Sequence, residues 1–202
     1  MAAFLIFVKI PNMTNQFPPI ILASKSPRRQ ELLTLMGIDF RVVLKEVDES
    51  YPEELTPREI AVYISEKKAR AFDELINEEI VITADTIVVI DGKILGKPED
   101  DEHAMEILSA LSGNMHEVIT AVTLLKNDRI HSFYEVSQVF FKPITEDQIR
   151  HYISVGNPMD KAGAYGIQEW IGLIAIERID GSYTNVVGLP THRLYQELCS
   201  FI

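Results

Sequence analysis

Residues 80–90 read IVITADTIVVI, an apolar run with one carboxylate, Asp85, near its centre. A charge there is costly to bury unless cations or hydrogen-bond donors accompany it. Two readings meet that condition: a structural carboxylate capping backbone amides, or one kept for proton transfer or cation binding. The residues alone leave both open. KEVDES, residues 45–50, crowds Glu46, Asp48 and Glu49 behind an apolar segment. It is either an acidic surface loop or a site for a hard cation such as Mg²⁺, which takes carboxylate oxygens. SEKKAR, residues 65–70, puts Lys67, Lys68 and Arg70 on a helix whose wet face they would ordinarily form. Ala69 and Ala71 beside Lys68 allow close approach of another element and give an inward-facing Lys68 a rationale.

Other stretches suit phosphate. SKSPRR, residues 24–29, opens with Ser24 and joins a short strand to a helix start. Backbone amides and the macrodipole at a helix N-terminus favour an anion. Arg28 and Arg29 add two planar forks for its oxygens. Two cations in a first helical turn oppose the dipole, so a bound anion would relieve a conflict; a solvated helix start with surface arginines is the alternative. LGKP, residues 95–98, sets Lys97 at the end of the hairpin that contains Asp85, with Thr86 as Asp85's neighbour. DKAGAYGIQ, residues 160–168, carries Lys161 as a phosphate candidate and Gly163 and Gly166, which permit close backbone approach. Its Gln168 has an amide that both donates and accepts. The chain has no G-x-x-x-x-G-K-[ST], G-x-G-x-x-G or G-x-S-x-G run, and its five histidines lack zinc-site spacing. Lysines and arginines beside carboxylates point to polyphosphate chemistry.

The elements that must position these groups can be read from patterning. Ile20–Ala23 is a short strand, followed by a helix with Ser26 at its N-cap, Pro27 in its first turn and Gly37 as its stop. Phe40–Leu44 is a strand. Thr56-Pro57-Arg58-Glu59 is a capping box opening a helix that runs to about Leu75. Ile80–Ile90 and Lys93–Leu95 pair through the turn Asp91-Gly92. A helix over about Glu99–Leu111 ends at Gly113, and Glu117–Leu125 pairs with Ile130–Phe141. Thr145 begins a helix that stops near Gly156, Leu173–Ile179 is a strand, and a last helix follows Pro190. Alternating strands and helices with two inserted hairpins predict an α/β fold around a mixed central sheet flanked by helices. We expect residues 1–17 to be a loosely ordered extension, with Met13 as an alternative start, and residues 18–202 to form one domain.

The 202 residues are 47% hydrophobic and 24% charged, ordinary globular usage, with a formal net charge of −11. That charge argues against non-specific binding to nucleic acid or an anionic membrane, while leaving room for a local basic pocket. The single cysteine, Cys199, permits no internal disulfide and fits a reducing cytosol.

Taken in order, LASKSPRRQELL, VDES, KKARA, ADTIVV, LGKP, LSGNMHEVITAV, NPMDKAGAYGIQ and IDGSYTNVVGLP resemble the Maf family of nucleoside triphosphate pyrophosphatases, over about Ile20–Leu198. The chain departs from the common family pattern at Asn157 and at Glu169-Trp170. The resemblance implies a two-lobed α/β fold of the inosine triphosphatase type, with a cleft between the lobes. It further implies metal-assisted hydrolysis, by Mg²⁺ or Mn²⁺, of a nucleoside triphosphate to the monophosphate and pyrophosphate. SPRR, ADT and GIQ are similar to the dTTP/UTP pyrophosphatase subgroup. On that pattern Asp85 matches the catalytic acidic residue, and Arg28, Thr86 and Gln168 match positions linked to base choice. We expect Asp85 and Glu49 to hold the metal, with Lys68 as their catalytic companion. Ser24, Arg28, Arg29, Thr86, Lys97, Lys161 and Gln168 are expected to bind substrate. The family also suggests a cytoplasmic protein able to form a homodimer, with a house-cleaning or septum-formation role. The competing class is a nucleotide-binding regulator of septum formation that acts through a protein partner.

Overall fold

A computed structural model of the protein describes residues 17–73 and 78–202. The expected extension, apart from Phe17, lies outside the described residues, as do Met13 and Leu75. The chain order is β1 (Ile20–Leu22), α1 (Pro27–Leu35), β2 (Phe40–Val42), α2 (Pro57–Arg70), β3 (Ile80–Ile90), β4 (Lys93–Leu95) and α3 (Asp101–Leu111). Then come β5 (Met115–Lys126), β6 (Arg129–Phe141), α4 (Glu146–Val155), α5 (Trp170–Ala175), β7 (Ile176–Asp180), α6 (Tyr183–Val187) and α7 (Thr191–Phe201). Two single 3₁₀ turns, Pro158–Asp160 and Ala162–Ala164, sit between α4 and α5.

One mixed sheet holds all seven strands in the order β2-β1-β3-β5-β6-β7, with β4 beside β3. The β1 strand is parallel to β2 and β3, and the remaining pairs are antiparallel. The long β3 strand is the spine. One of its edges pairs with β5 from Val81 to Val89. Its other edge pairs with β1 at Ile80–Ile82 and with β4 at Val88–Ile90. Among the described residues, 83–87 therefore have no strand neighbour on that side, and Asp85 lies at the middle of the gap.

Side-chain alternation along β3 assigns the two layers. Val81, Ile87 and Val89 face α2, where they meet Ala69 and Ala61, and Thr83 Oγ1 donates to the Ser65 carbonyl at 2.6 Å. Ile80, Ile82 and Ala84 face α1 and α7, packing with Leu33, Leu194 and Leu198. Val88 and Ile90 continue that face beneath α3, against Ile107 and Leu108.

Local signals account for most boundaries. Thr56 caps α2 and Glu59 reciprocates. Thr145 and Gln148 form a second such box at α4. Asp91 and Gly92 both take positive φ, 49° and 75°, as a tight right-twisting hairpin requires. Asp100 rather than Glu99 starts α3, as its N-cap. The expected strand over Leu173–Ile179 is corrected: residues 173–175 are helical and β7 begins only at Ile176. A strand would bury residues 171, 173 and 175 together. Instead Ile171 and Ala175 are buried, Leu173 is 80% exposed, and the Leu173 amide closes a helical turn on the Glu169 carbonyl. Short apolar runs do not distinguish these states by periodicity alone. The strand expected over Phe40–Leu44 ends at Val42, and α2 ends at Arg70.

Candidate active site

The gap in the β3 edge opens into a cleft of two adjoining compartments, about 390 and 770 Å³. Asp85 points to the α2 side and is 8% exposed. Lys68, in the last turn of α2, donates to Asp85 Oδ1 at 2.7 Å and pairs with Glu49 Oε1 at 3.0 Å. One ammonium thus holds a buried and an exposed carboxylate together. The loop carrying Glu49 is sorted residue by residue. Asp48 turns away, bonds Ser50 and takes Lys67 at 3.1 Å, and these hydrogen bonds, led by Ser50, hold its carboxyl down at about 2. The adjacent lysines of SEKKAR therefore face opposite ways, and the fully buried Ala69 lets Lys68 reach the sheet.

Arg29 closes the gap itself. Its Nη1 donates to the Ala84 carbonyl at 2.8 Å, an acceptor exposed by the missing strand neighbour, and to Ser24 Oγ at 3.3 Å. Its Nε donates to the Gly188 carbonyl at 2.8 Å and its Nη2 to Thr86 Oγ1 at 2.9 Å. Thr86 points to the face opposite Asp85, where it also meets Thr120 Oγ1 at 3.0 Å. Thr120 in turn donates to the Asn185 carbonyl on α6 at 2.9 Å. Burial lowers the Arg29 pKa from its ordinary value, and the charge of Asp85 opposes that. Gly188 has φ 122°, and a side chain there would come within 3.5 Å of Thr86 Oγ1 and 3.7 Å of Arg29 Nε.

Arg28 reaches across the cleft mouth to Asp160, with Nη1 3.1 Å from Oδ2. The two arginines in the first turn of α1 are thus already answered by the protein's own acceptors. Ser26 occupies the N-cap position without making a side-chain cap bond, so the amides of that turn are open to a ligand. Lys161 is 4% exposed, and its ammonium has acceptors in the Asn157 carbonyl, Asp160 Oδ1 at 2.8 Å and Glu169 Oε1 at 2.9 Å. Burial raises the Asp160 carboxyl, but Lys161 and Arg28 outweigh it and the net shift is downward. Lys97 lines both compartments, is exposed and has no ion-pair partner among the described residues. The Gly96 carbonyl beside it accepts from the Gly163 amide at 3.1 Å, which fastens the end of the β3–β4 hairpin to the DKAG turn. Gly163 has φ 71° and packs under Val88, where a Cβ would sit 3.0 Å from Cγ2. Gln168 is exposed on the cleft wall, and among the described residues no hydrogen bond holds its side-chain amide.

Behind the wall, Tyr165 is 6% exposed and its hydroxyl lies 2.7 Å from His116 Nε2. Burial lowers His116 to about 4, so the ring is neutral, and its Nδ1 has no hydrogen-bond partner among the described residues. Among the described residues no cluster of three or more histidine, cysteine or acidic side chains is placed to hold a metal. Two carboxylates converging on one cation still suit Mg²⁺, which takes one or two carboxylates and completes its shell with water and phosphate oxygens. The structure brings every expected site residue to the cleft or its immediate wall. Sequence reasoning missed Asp160, Gly188, Thr120, Asn185 and the Glu169–Tyr152 pair. Asp160 was legible as the acid next to Lys161, and Glu169 as the acid next to Gln168; Gly188, Thr120, Asn185 and Tyr152 act from farther along the chain.

Comparison with known proteins gives a match to the family model described as Maf-like protein over residues 19–201. The dTTP/UTP pyrophosphatase of Bacteroides thetaiotaomicron is 51% identical over 181 residues, spanning 89% of this chain and 94% of that protein. The dTTP/UTP pyrophosphatase of Flavobacterium johnsoniae is 46% identical over 184 residues, 91% of this chain and 95% of that one. Among solved structures, the Staphylococcus aureus Ham1 protein is similar over 89% of this chain and 99% of its own, with 19% identity and a TM-score of 0.47.

Proposed function

The chain belongs to the Maf-like protein family, and from that premise we propose that it hydrolyses nucleoside triphosphates, UTP and dTTP foremost, to the monophosphate and pyrophosphate. The names of its relatives support the reaction class and the pyrimidine substrates. The observation that carries the reading is the Glu49–Lys68–Asp85 group at a stretch of the central strand left without a strand neighbour on one edge, beside a cleft with a lysine that has no ion-pair partner among the described residues and an open helix N-terminus.

Asp85 and Glu49 would hold a divalent cation, which when bound supplies charge neutralisation at the phosphates and activation of water. Lys68 fixes the rotamer of Asp85 through Oδ1, leaving Oδ2 without a protein donor among the described residues. Oδ2 takes the proton of the water that attacks the α-phosphorus. The leaving pyrophosphate gains negative charge, which Lys97 and the first-turn amides of α1 offset. Arg28 and Lys161 add to this by exchanging a carboxylate partner for a phosphate oxygen. Arg29 works indirectly, by filling the unpaired edge of β3 with its own donors and keeping it rigid. Gln168 reads the base: its carbonyl accepts N3–H of uracil or thymine while its NH₂ donates to O4. Among the described residues no hydrogen bond fixes that amide beforehand, so it can turn to present either its carbonyl or its NH₂.

The test is product analysis. The protein is incubated with a panel of triphosphates and Mg²⁺ or Mn²⁺, and the products are separated by chromatography. UMP or dTMP with pyrophosphate supports the proposal. Diphosphate with orthophosphate refutes it, and binding without turnover supports instead a regulator acting on septum formation through a partner.

A further inference from the structure

We propose that Asp160, which touches no reacting atom, is an internal competitor for the phosphate site: its carboxylate holds Arg28 and Lys161 before substrate binds, thereby sets the affinity for polyphosphate, and returns to displace pyrophosphate after cleavage. This deepens, and rests on, the reading of Arg28 and Lys161 as cations that trade a carboxylate for a phosphate oxygen. One carboxylate serves both cations. Its Oδ2 lies 3.1 Å from Arg28 Nη1 and its Oδ1 2.8 Å from Lys161 Nζ. Arg28 stands in the first turn of α1, and Asp160 ends the Pro158–Asp160 turn on the opposite wall. The carboxylate therefore bridges the cleft mouth, where Arg28 and Asp160 both line the two compartments.

Of the acceptors around Lys161, Asp160 is the one that can leave. The Asn157 carbonyl belongs to the backbone, and Glu169 is also tied to the Tyr152 hydroxyl. The Asp160 side chain is 43% exposed against 27% for Glu169, so it turns to water at the lower cost. Lys161 then keeps Glu169 and Asn157 to compensate its burial while it takes a phosphate oxygen. Arg28 has no other hydrogen-bond or ion-pair partner among the described residues, so the departure of Asp160 frees its whole fork. The bond that it gives up is single, through Nη1 alone, whereas a phosphate can take the fork with two oxygens. A triphosphate, held also at its base and sugar, displaces the carboxylate. Pyrophosphate has lost those contacts, and the carboxylate competes with it on closer terms. Burial raises the Asp160 carboxyl, but the two cations outweigh it, so the competitor stays charged at neutral pH.

The partial exposure of the pair keeps the competition modest. Asp160→Asn should lower the Kd of inorganic tripolyphosphate, the inhibition constant of pyrophosphate and the KM for UTP by about 3- to 10-fold each. A merely structural role for the Arg28–Asp160 bond predicts the reverse, since a loosened cleft mouth would weaken all three. Asp160→Glu keeps the charge on a longer arm and should stay within about 2-fold of wild type. Glu46→Gln removes the same charge from an exposed side chain that lines the larger compartment and pairs with neither cation. It should change the three constants by less than about 2-fold.

The deciding experiment titrates tripolyphosphate and pyrophosphate calorimetrically into the full chain and these variants, with EDTA and with Mg²⁺. It adds the KM for UTP and inhibition by pyrophosphate. Tighter anion binding by Asp160→Asn, with Asp160→Glu and Glu46→Gln near wild type, supports the proposal. Equal or weaker binding by a folded Asp160→Asn protein overturns it. Equal tightening by Glu46→Gln also overturns it, by reducing the effect to net charge, and weakening confined to Mg²⁺ does so by making Asp160 a metal contact. If Asp160→Asn does not fold, Asp160→Ser is judged by the same criteria. A wild type that binds neither anion refutes the phosphate reading of the cleft and this proposal with it. A wild type that binds both and cleaves no triphosphate refutes only the proposed reaction, and the titrations still decide the role of Asp160.

Discussion

Replacing Arg29 by lysine separates two roles for the SPRR stretch. As a phosphate ligand, Arg29 would be exchanged for another cation at a cost in substrate affinity alone. The structure assigns it a different task. Two of its nitrogens donate to the carbonyls of Ala84 and Gly188 at 2.8 Å each, and a third to Thr86 Oγ1 at 2.9 Å. These acceptors surround a planar fork, and a lysine ammonium, being a single point, reaches at most one of the two carbonyls together with a hydroxyl. At least one partly buried carbonyl and the Thr86–Thr120 pair then lose their donor. Each orphaned acceptor costs about 1–3 kcal/mol, so Arg29→Lys should lower the unfolding free energy by about 2–4 kcal/mol. Urea denaturation with an unchanged m-value is the assay. Lys97→Met, which removes an exposed ammonium, should leave stability within about 0.5 kcal/mol of wild type while raising KM. An Arg29→Lys protein with the wild-type urea midpoint and only a raised KM would refute the sealing role and return Arg29 to the phosphate ligands.

Three other outcomes follow from the same geometry. Asp85→Asn should reduce kcat by about 10²–10⁴-fold with the fold retained by circular dichroism, and a folded variant with full turnover would remove Asp85 from the chemistry. Gln168→Glu replaces an amide that donates and accepts by a group that only accepts, and should lower kcat/KM for UTP and dTTP by at least ~10-fold, measured by pyrophosphate release. His116 gives an acid limb to stability. Its folded pKa, about 4, lies below the unfolded value near 6.5, so the unfolded chain binds the extra proton between these values. Its contribution is intact above the unfolded value and is lost as pH falls to about 4, by about 3 kcal/mol in all. His116→Gln should flatten that part of the curve relative to wild type in urea titrations at stepped pH.

Local physics made much of the fold legible from the sequence. The β3–β4 hairpin was readable to the residue because an eleven-residue apolar run meets Asp91-Gly92, whose positive φ the turn demands. The Thr56 capping box and the stops at Gly37 and Gly113 rest on equally local chemistry. The Trp170–Ala175 helix was misread because its burial pattern depends on what packs above it, which six residues cannot encode. The site was legible as a set of residues and not as a set of bonds. Asp85 stood out against its strand, and Ala69 hinted at an inward Lys68. Nothing near Arg29 announced that the edge of β3 would lack a partner where Ala84 needs a donor, since that gap arises from where β1 ends and β4 begins. Arg28 and Asp160 meet across 132 residues, beyond any motif's span.

The central claim is that water attacks the α-phosphorus and pyrophosphate leaves, and the position of a water-derived oxygen tests it most directly. Turnover of UTP or dTTP in heavy-oxygen water, followed by mass spectrometry of both products, should place the label in the nucleoside monophosphate and leave the pyrophosphate unlabelled. Label in the pyrophosphate, or in released orthophosphate, would contradict the account.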